Sequence, residues 1–255
     1  MNLFSLAGKT AIITGSTRGI GRAIAECFAE HGAKIVVSSR TIGSCEEVRD
    51  EINRQYGDGT AIAIAADISS KSDLQHLVDE TTRQLGKVDV LVCNAASSSA
   101  YHGPLGGIPD GDFRQILEHN VISNHWLINF AAPQMIERKE GSIIIVSSIG
   151  GMRGSSIIGA YSVSKAADFQ LARNLAVEFG PHNVRVNCIA PGLIKTDFAR
   201  ALWENAESLR RRIEVTPLRR IGVPEDIAGA AVFLASNASV YMTGQSIVID
   251  GGIMS

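Results

Sequence analysis

Nowhere does this chain carry an apolar run approaching the ~20 residues that cross a bilayer, so no membrane partner is expected. Met1 to Gly8 lacks the basic stretch and apolar core of a secretory leader. Cysteine is sparse: Cys27, Cys45, Cys93 and Cys188 are widely separated, with no C-x-x-C pair. That argues against a disulfide framework and a zinc site and points to a reducing compartment. Cys93 and Cys188 fall in apolar runs and read as small buried hydrophobes. The six histidines show no metal-ligand spacing, so no metal is expected. Neither sign of charge dominates, the formal net charge being −2 at pH 7, which leaves nucleic acid only a local patch to bind. The one basic run is Arg210-Arg211-Arg212, with Arg219 and Arg220 close behind. It reads as a solvated helix face or an ion-paired subunit contact, and no nucleic-acid partner is expected. The end, Ile253-Met254-Ser255, does not match an S-K-L peroxisomal address, so cytoplasm is the expected location.

Linkers, internal repeats and low-complexity segments are also missing, and residues 1–255 read as a single domain. What is present is a regular alternation. Short apolar runs at Thr10–Thr14, Lys34–Ser38, Ala61–Ala65, Val88–Cys93, Ser142–Ser147, Arg185–Ala190 and Ser246–Ile249 predict strands. Their continuous rather than alternating hydrophobicity suits parallel strands covered on both faces. Helical patterns lie between them at Gly19–Glu30, Ser44–Gln55, Ser72–Leu85, Asp112–Arg138, Ala160–Phe179 and Pro224–Ser236. Gly32 and Gly180 stand where helix C-caps are expected, and Pro224 near a helix start. The predicted fold class is therefore α/β, a doubly wound parallel sheet with helices on both faces and a ligand crevice outside the strands' carboxyl ends. Two stretches break the pattern and read as substrate loops, Ala95 to Gly111 and Gly192 to Thr216.

Thr14-Gly15-Ser16-Thr17-Arg18-Gly19-Ile20-Gly21 runs from the first strand into the first helix. Glycines there permit a tight turn and let backbone N–H groups approach a pyrophosphate at a helix N-terminus. The spacing is G-x-x-x-G-x-G, and taken alone it could mark only a tight βα connection. The second strand ends Ser38-Ser39-Arg40 without the acid that would bind the adenosine ribose of NAD. A guanidinium there can fork onto a 2′-phosphate, and Arg18 could reach the same group, which favours NADP(H) over two merely solvated arginines. Asp67, after the third strand, is placed to accept from an adenine amino group or to cap the next helix. Asn94, after the fourth, reads as a turn residue beside the pocket rather than a direct cofactor ligand.

Tyr161 and Lys165 are four apart on a predicted helix and share one face, with Ser148 thirteen positions before the tyrosine. A free tyrosine, with pKa ~10, is a poor base at neutral pH. A nearby ammonium and a cationic nicotinamide would favour its phenolate, and Ser148 could hydrogen-bond a substrate oxygen. Y-x-x-x-K alone is weak, but with this serine and the glycine turn it is a strong combination. Asn120, a mediocre helix former inside a predicted helix, either holds a water that relays protons to Lys165 or caps a kink.

Together these residues resemble the short-chain dehydrogenase/reductase family over nearly the whole chain. The resemblance implies a Rossmann fold and a catalytic set of Asn120, Ser148, Tyr161 and Lys165. It implies cofactor contacts from Gly15, Ser16, Thr17, Arg18, Gly19, Ile20, Gly21, Ser39, Arg40, Asp67, Ile68, Asn94, Ala95, Tyr161 and Lys165. Pro191, Gly192, Ile194 and Thr196 complete that set, Thr196 as the contact to the nicotinamide carboxamide. The family's Asn-Asn-Ala-Gly is represented by Cys93-Asn94-Ala95-Ala96, which keeps Asn94. Within the family, Val37 to Arg40, Asn187 to Thr196 and Ala201-Leu202-Trp203 resemble NADPH-dependent carbonyl/retinal reductases of the peroxisomal short-chain reductase 4 type, in a bacterial-like form without the peroxisomal tail. Pro217 to Gly252 is also similar to 3-oxoacyl-thioester reductases, for which Arg153, Lys195 and Arg200 could serve a phosphorylated substrate. The implied activity is reduction of a ketone or aldehyde to an alcohol, or the reverse, on a small-molecule substrate, and the implied assembly is a homotetramer. Phe198, Leu202 and Trp203 read either as a lid over an apolar substrate or as static packing, and Tyr101 and His102 as possible pocket residues.

Overall fold

The computed structural model describes residues 2–97 and 105–255. Seven parallel strands form one sheet: β1 (Thr10–Thr14), β2 (Lys34–Ser38), β3 (Ala61–Ala63), β4 (Val90–Cys93), β5 (Gly141–Val146), β6 (Val184–Pro191) and β7 (Ser246–Ile249). Their spatial order is β3-β2-β1-β4-β5-β6-β7, so the winding reverses between β1 and β4. The register pairs Ile12 with Val36 on one side and with Leu91 on the other. Hydrogen bonding on both edges and apolar cover on both faces leave β1 and β4 buried along their whole lengths, the cause of their unbroken hydrophobicity.

The helices are α1 (Gly19–Glu30), α2 (Ile42–Tyr56), α3 (Lys71–Leu85), α4 (Asp110–Leu117), α5 (Ser123–Arg138), α6 (Gly159–Phe179), α7 (Arg200–Trp203), α8 (Ala206–Val215) and α9 (Glu225–Ala235). Side chains from α1, α2 and α9 build one core with Ala11, Ile13 and Ile144. Those from α3, α5 and α6 build a second with Ile12, Ile143 and Ile145 on the opposite face. Alternate residues of one strand thus feed opposite cores, as the two-residue period of a strand requires. Among the described residues, no helix is long and apolar enough to cross a membrane.

Three differences from the sequence expectations bear on the site. The helix predicted over Asp112–Arg138 is interrupted by a π turn at Glu118–Ile122, with Asn120 inside it. Gly180 does cap α6, but in right-handed geometry (φ −52°), and the left-handed residue is Asn183 (φ 56°). The segment after β6, expected as a loop, contains α7 and α8, with Asn205 capping α8 by accepting from Ser208 N at 2.9 Å.

Candidate active site

A cavity of about 990 Å³ opens at the carboxyl ends of the strands, across the reversal between β1 and β4. All the residues of the implied catalytic and cofactor sets line it except Ser16, Gly21 and Asn120, and of the further candidates Arg153, Phe198 and Leu202 line it while Lys195, Arg200 and Trp203 do not. Tyr101 and His102 lie outside the described residues.

The glycines are explained by what a side chain would meet. Gly15 and Gly19 adopt positive φ (67° and 56°), and a Cβ on Gly19 would press to 3.1 Å of Thr196 Cγ2. A Cβ on Gly21 would collide with the Gly15 carbonyl oxygen and come within 2.5 Å of Asn94 Nδ2. Gly21 therefore acts through helix–turn packing. Ser16 is buried: its hydroxyl donates to Ile13 O at 2.7 Å and accepts from Ser38 N at 2.9 Å, tying the turn to β2. Asn94 ties the turn to β4, donating to Thr14 O at 2.8 Å, as a turn residue beside the pocket should. No side chain caps the N-terminus of α1, and no acid lies in its first turn, so its free N–H groups face an anion without competition. This cradle fits a dinucleotide pyrophosphate.

At the end of β2, Arg40 is exposed and makes no ion pair with any described residue. Arg18 sits farther toward the substrate loop, with a guanidinium nitrogen 4.0 Å from Asp197 Oδ2. Asp67 lines the cavity but does not cap α3. Its Oδ1 accepts from Ser69 N (2.9 Å) and Ser69 Oγ (2.8 Å), while Ser70 is the cap, accepting from Asp73 N. Ile68 follows it on the cavity wall.

Tyr161 and Lys165 meet on α6, Nζ lying 5.8 Å from the ring centroid. Burial pushes the Tyr161 phenol above its ordinary range; the Lys165 ammonium pulls it down, Asp168 pushes it up, and the Ser148 hydroxyl pulls it down. In the protein alone, burial outweighs the ammonium that the spacing singled out. Ser148 precedes a single 3₁₀ turn and accepts from Gly150 N at 2.9 Å, which fixes its hydroxyl at the cavity edge. Asn120 is fully buried behind them. Its side chain accepts from Ser97 N (2.8 Å) and donates to Ser97 O (2.8 Å) and Ser164 Oγ (3.0 Å), so the π turn positions it as a clamp on the segment after β4.

Over this floor the 192–216 segment brings Phe198, whose ring centroid is 6.0 Å from that of Tyr161. Leu202 lines the cavity, while Trp203 braces from behind, donating Nε1–H to Thr196 O at 3.0 Å. Lys195 lies 5.6 Å over the Trp203 ring, and Arg200 binds Asp197 at 2.6 Å. Asp168, in contact with Lys165, belongs here although the sequence did not single it out, and Arg212, read in the sequence as part of a solvated or ion-paired basic run, lies instead on the cavity wall. Spacing could have found Asp168, because residues three apart share a helix face. Away from the cavity, Cys27, Glu30 and His31 bring ligand atoms within 4.8 Å of one another. His31 Nδ1 is engaged with Cys27 O at 2.8 Å and burial pushes the Cys27 thiol up, so the trio offers no thiolate.

The family model described as enoyl-(acyl carrier protein) reductase matches residues 15–254. The chain is 39% identical to the Bos taurus protein named dehydrogenase/reductase SDR family member 4, over 98% of this chain and 88% of that one. Among solved structures, it is similar to a 7α-hydroxysteroid dehydrogenase complexed with NADH and 7-oxo glycochenodeoxycholic acid (TM-score 0.93, 40% identity, 98% and 96% of the two chains covered). It is also similar to a putative NAD(P)-dependent gluconate 5-dehydrogenase from Beutenbergia cavernae with bound NADP (TM-score 0.92, 35% identity, 99% of each chain covered).

Proposed function

From the premise that the chain belongs to the short-chain dehydrogenase/reductase family, oxidoreductases of CH–OH and C=O groups that use a nicotinamide cofactor, we propose an NADP(H)-dependent reductase of ketones or aldehydes, working through Tyr161, Lys165 and Ser148. The observation that carries the acid–base assignment is the placement of a phenol, an ammonium and a hydroxyl on one wall of the dinucleotide-sized cavity. The cofactor, when bound, supplies or accepts the hydride. Free backbone N–H groups at the start of α1, those of Gly19 and Ile20, would hold its pyrophosphate, Arg40 its 2′-phosphate, Lys165 its nicotinamide ribose and Thr196 its carboxamide. Ser148 donates a hydrogen bond to the carbonyl oxygen and Tyr161 delivers its proton there, where alkoxide charge would otherwise develop. Lys165 makes that exchange possible near neutrality by favouring phenolate. The preference for NADP(H) rests on the free Arg40 and the missing acid at the end of β2.

The test is NADPH consumption with simple ketones, diketones, retinal and acetoacetyl-CoA, with Tyr161→Phe as blank and NADH as control. Expected is NADPH-preferring turnover that Tyr161→Phe abolishes while still binding NADPH. Turnover retained in that variant would overturn the acid–base assignment.

One observation favours a substrate with an anionic group, the acyl-thioester reading among them. Of the cationic residues named for a phosphorylated substrate under the resemblance to thioester reductases, Lys195 and Arg200 are engaged within their own segment. Arg153 and Arg212 line the cavity without an acidic partner among the described residues. Arg210 and Arg211, with side chains 81% and 75% exposed, pair with Glu214 and Glu207, which leaves the half-buried Arg212 turned inward. Arg212→Gln should lower kcat/KM for acetoacetyl-CoA about tenfold, the value of one charge-assisted bond, and spare neutral ketones. Equal effects on both would remove this reading.

A further inference from the structure

The Lys165 ammonium is fixed on two sides. Its Nζ donates to the Val146 carbonyl oxygen at 2.9 Å and to Asp168 Oδ2 at 3.1 Å. Both charged side chains are buried, 3% and 0% exposed. Asp168 Oδ1 accepts from Asn124 Nδ2 at 3.2 Å, and the same amide donates to the Asn120 carbonyl oxygen at 2.7 Å. A continuous polar path therefore runs from the π turn through Asn124 and Asp168 to Lys165, at the back of Tyr161.

A carboxylate at this depth is costly unless paired, and packing alone does not call for one: Phe169, Ala172 and Cys188 around it belong to the apolar core. Its effect falls on the lysine. An ammonium has three N–H bonds; two fixed acceptors behind it leave the third for the side that faces the cavity. Burial pushes the Asp168 carboxyl up, and the Lys165 ammonium, Asn124 and Ser147 pull it down; paired at 3.1 Å with that ammonium it stands as the carboxylate, which offsets the positive charge by which Lys165 favours phenolate. The groups that face Asp168 are Lys165 and Tyr161 from α6, Asn124 from α5, Ser147 after β5, Cys93 from β4 and Cys188 from β6. Burial pushes both thiols up, so they stay neutral, and Lys165 is the cation in hydrogen-bond contact. Arg173, farther along α6, is held by Gln170.

We propose that Asp168 is a positioning residue of this site, which aims Lys165 at the cavity and, by offsetting its charge, sets the pH range in which Tyr161 exchanges its proton. This rests on the reading of Tyr161 as the acid–base group. Without the Asp168 charge, a buried ammonium stands uncompensated. The Lys165–Tyr161 pair then gives up its first proton more easily, because tyrosinate becomes the ammonium's own counter-ion. The rate of alcohol oxidation, which needs the deprotonated pair, should rise at lower pH.

The experiment measures kcat and KM for alcohol oxidation against pH, at saturating cofactor, in the wild-type protein and in Asp168→Asn. Asp168→Ser, small enough to admit water, serves as a second variant in case the amide does not fold. The expected result is a midpoint of kcat about one pH unit lower, with the substrate KM unchanged and Asp168→Glu restoring the wild-type midpoint. A profile coincident with wild type in either folded variant overturns the proposal, even if thermal stability falls, because a purely structural acid would change stability alone. Activity that survives Tyr161→Phe would instead mark failure of the acid–base reading itself.

Discussion

The ring of Phe198 stands 6.0 Å from that of Tyr161, tilted by 48°, so the segment after β6 closes directly on the residue assigned to proton transfer. Phe198 is 48% exposed, an apolar surface left open toward the cavity. Phe198→Ala should lower kcat/KM for apolar carbonyls by about tenfold, the aromatic contact and part of its buried area being lost. The affinity for NADPH should not change. Steady-state kinetics with the cofactor saturating and then limiting separate the two; equal losses in both would show that Phe198 serves the cofactor.

Arg40→Glu reverses the charge at the end of β2, where no acid now stands. A charge-assisted bond contributes about 1.5–3 kcal/mol, so the NADPH:NADH ratio of kcat/KM should fall by about 10–100-fold. An unchanged ratio would locate cofactor choice elsewhere, Arg18 being the next residue to substitute.

Gly21→Ala places a methyl group against the Gly15 carbonyl and within 2.5 Å of Asn94 Nδ2. Backbone cannot yield as a flexible side chain can. Stability should fall by about 1–3 kcal/mol, and dinucleotide affinity should fall with it because the same contact shapes the turn. Thermal unfolding with and without NADPH reads both; a variant as stable as the parent and equally stabilised by NADPH would contradict the packing argument.

Asp226 accepts from Arg220 at 2.5 and 2.8 Å and from Val223 N at 2.8 Å, and these partners hold its carboxyl down at about 2. A depressed carboxyl stabilises the fold above its unfolded value and loses that contribution as pH falls through the folded one. Asp226→Asn should therefore cost about 1 kcal/mol at pH 7, discounted for the half-exposed Arg220, and nothing once pH drops below about 2. Denaturant unfolding at several pH values checks it; a cost that persists at the acid end would mean the lost bonds are not ionic.

Much of the scaffold was legible because it obeys simple periodicities. β1, β2, β7 and α1 begin and end where their apolar runs and flanking breakers predict. α8 was not, because its charged residues bury no apolar stripe and its cap, Asn205, reads as one more polar loop residue. Gly180 misled because glycine permits a left-handed cap without requiring one. At the site, local motifs were readable: the glycine turn, Ser148, and the Tyr161–Lys165 pair. Asp168 was passed over because a lone acid on a helix usually faces water; in the sequence only its three-residue step from Lys165 marks it, and the structure buries it fully, with its backbone against Cys188 of β6. Arg212 hid in a run of three arginines, where successive helix steps of about 100° send two outward and one in.

Ile143 and Ile144 are neighbours in sequence but pack in separate cores, one on each face of the sheet. The sheet acts as a bulkhead: a void opened beside Ile143 has no side-chain partner in common with one opened beside Ile144. Trimming each to valine should cost about 1 kcal/mol, and the double variant the sum of the two within about 0.5 kcal/mol. Adjacent residues of one strand can then change independently, whereas Ile143 and Ile145, two apart but in the same core, must be repacked together.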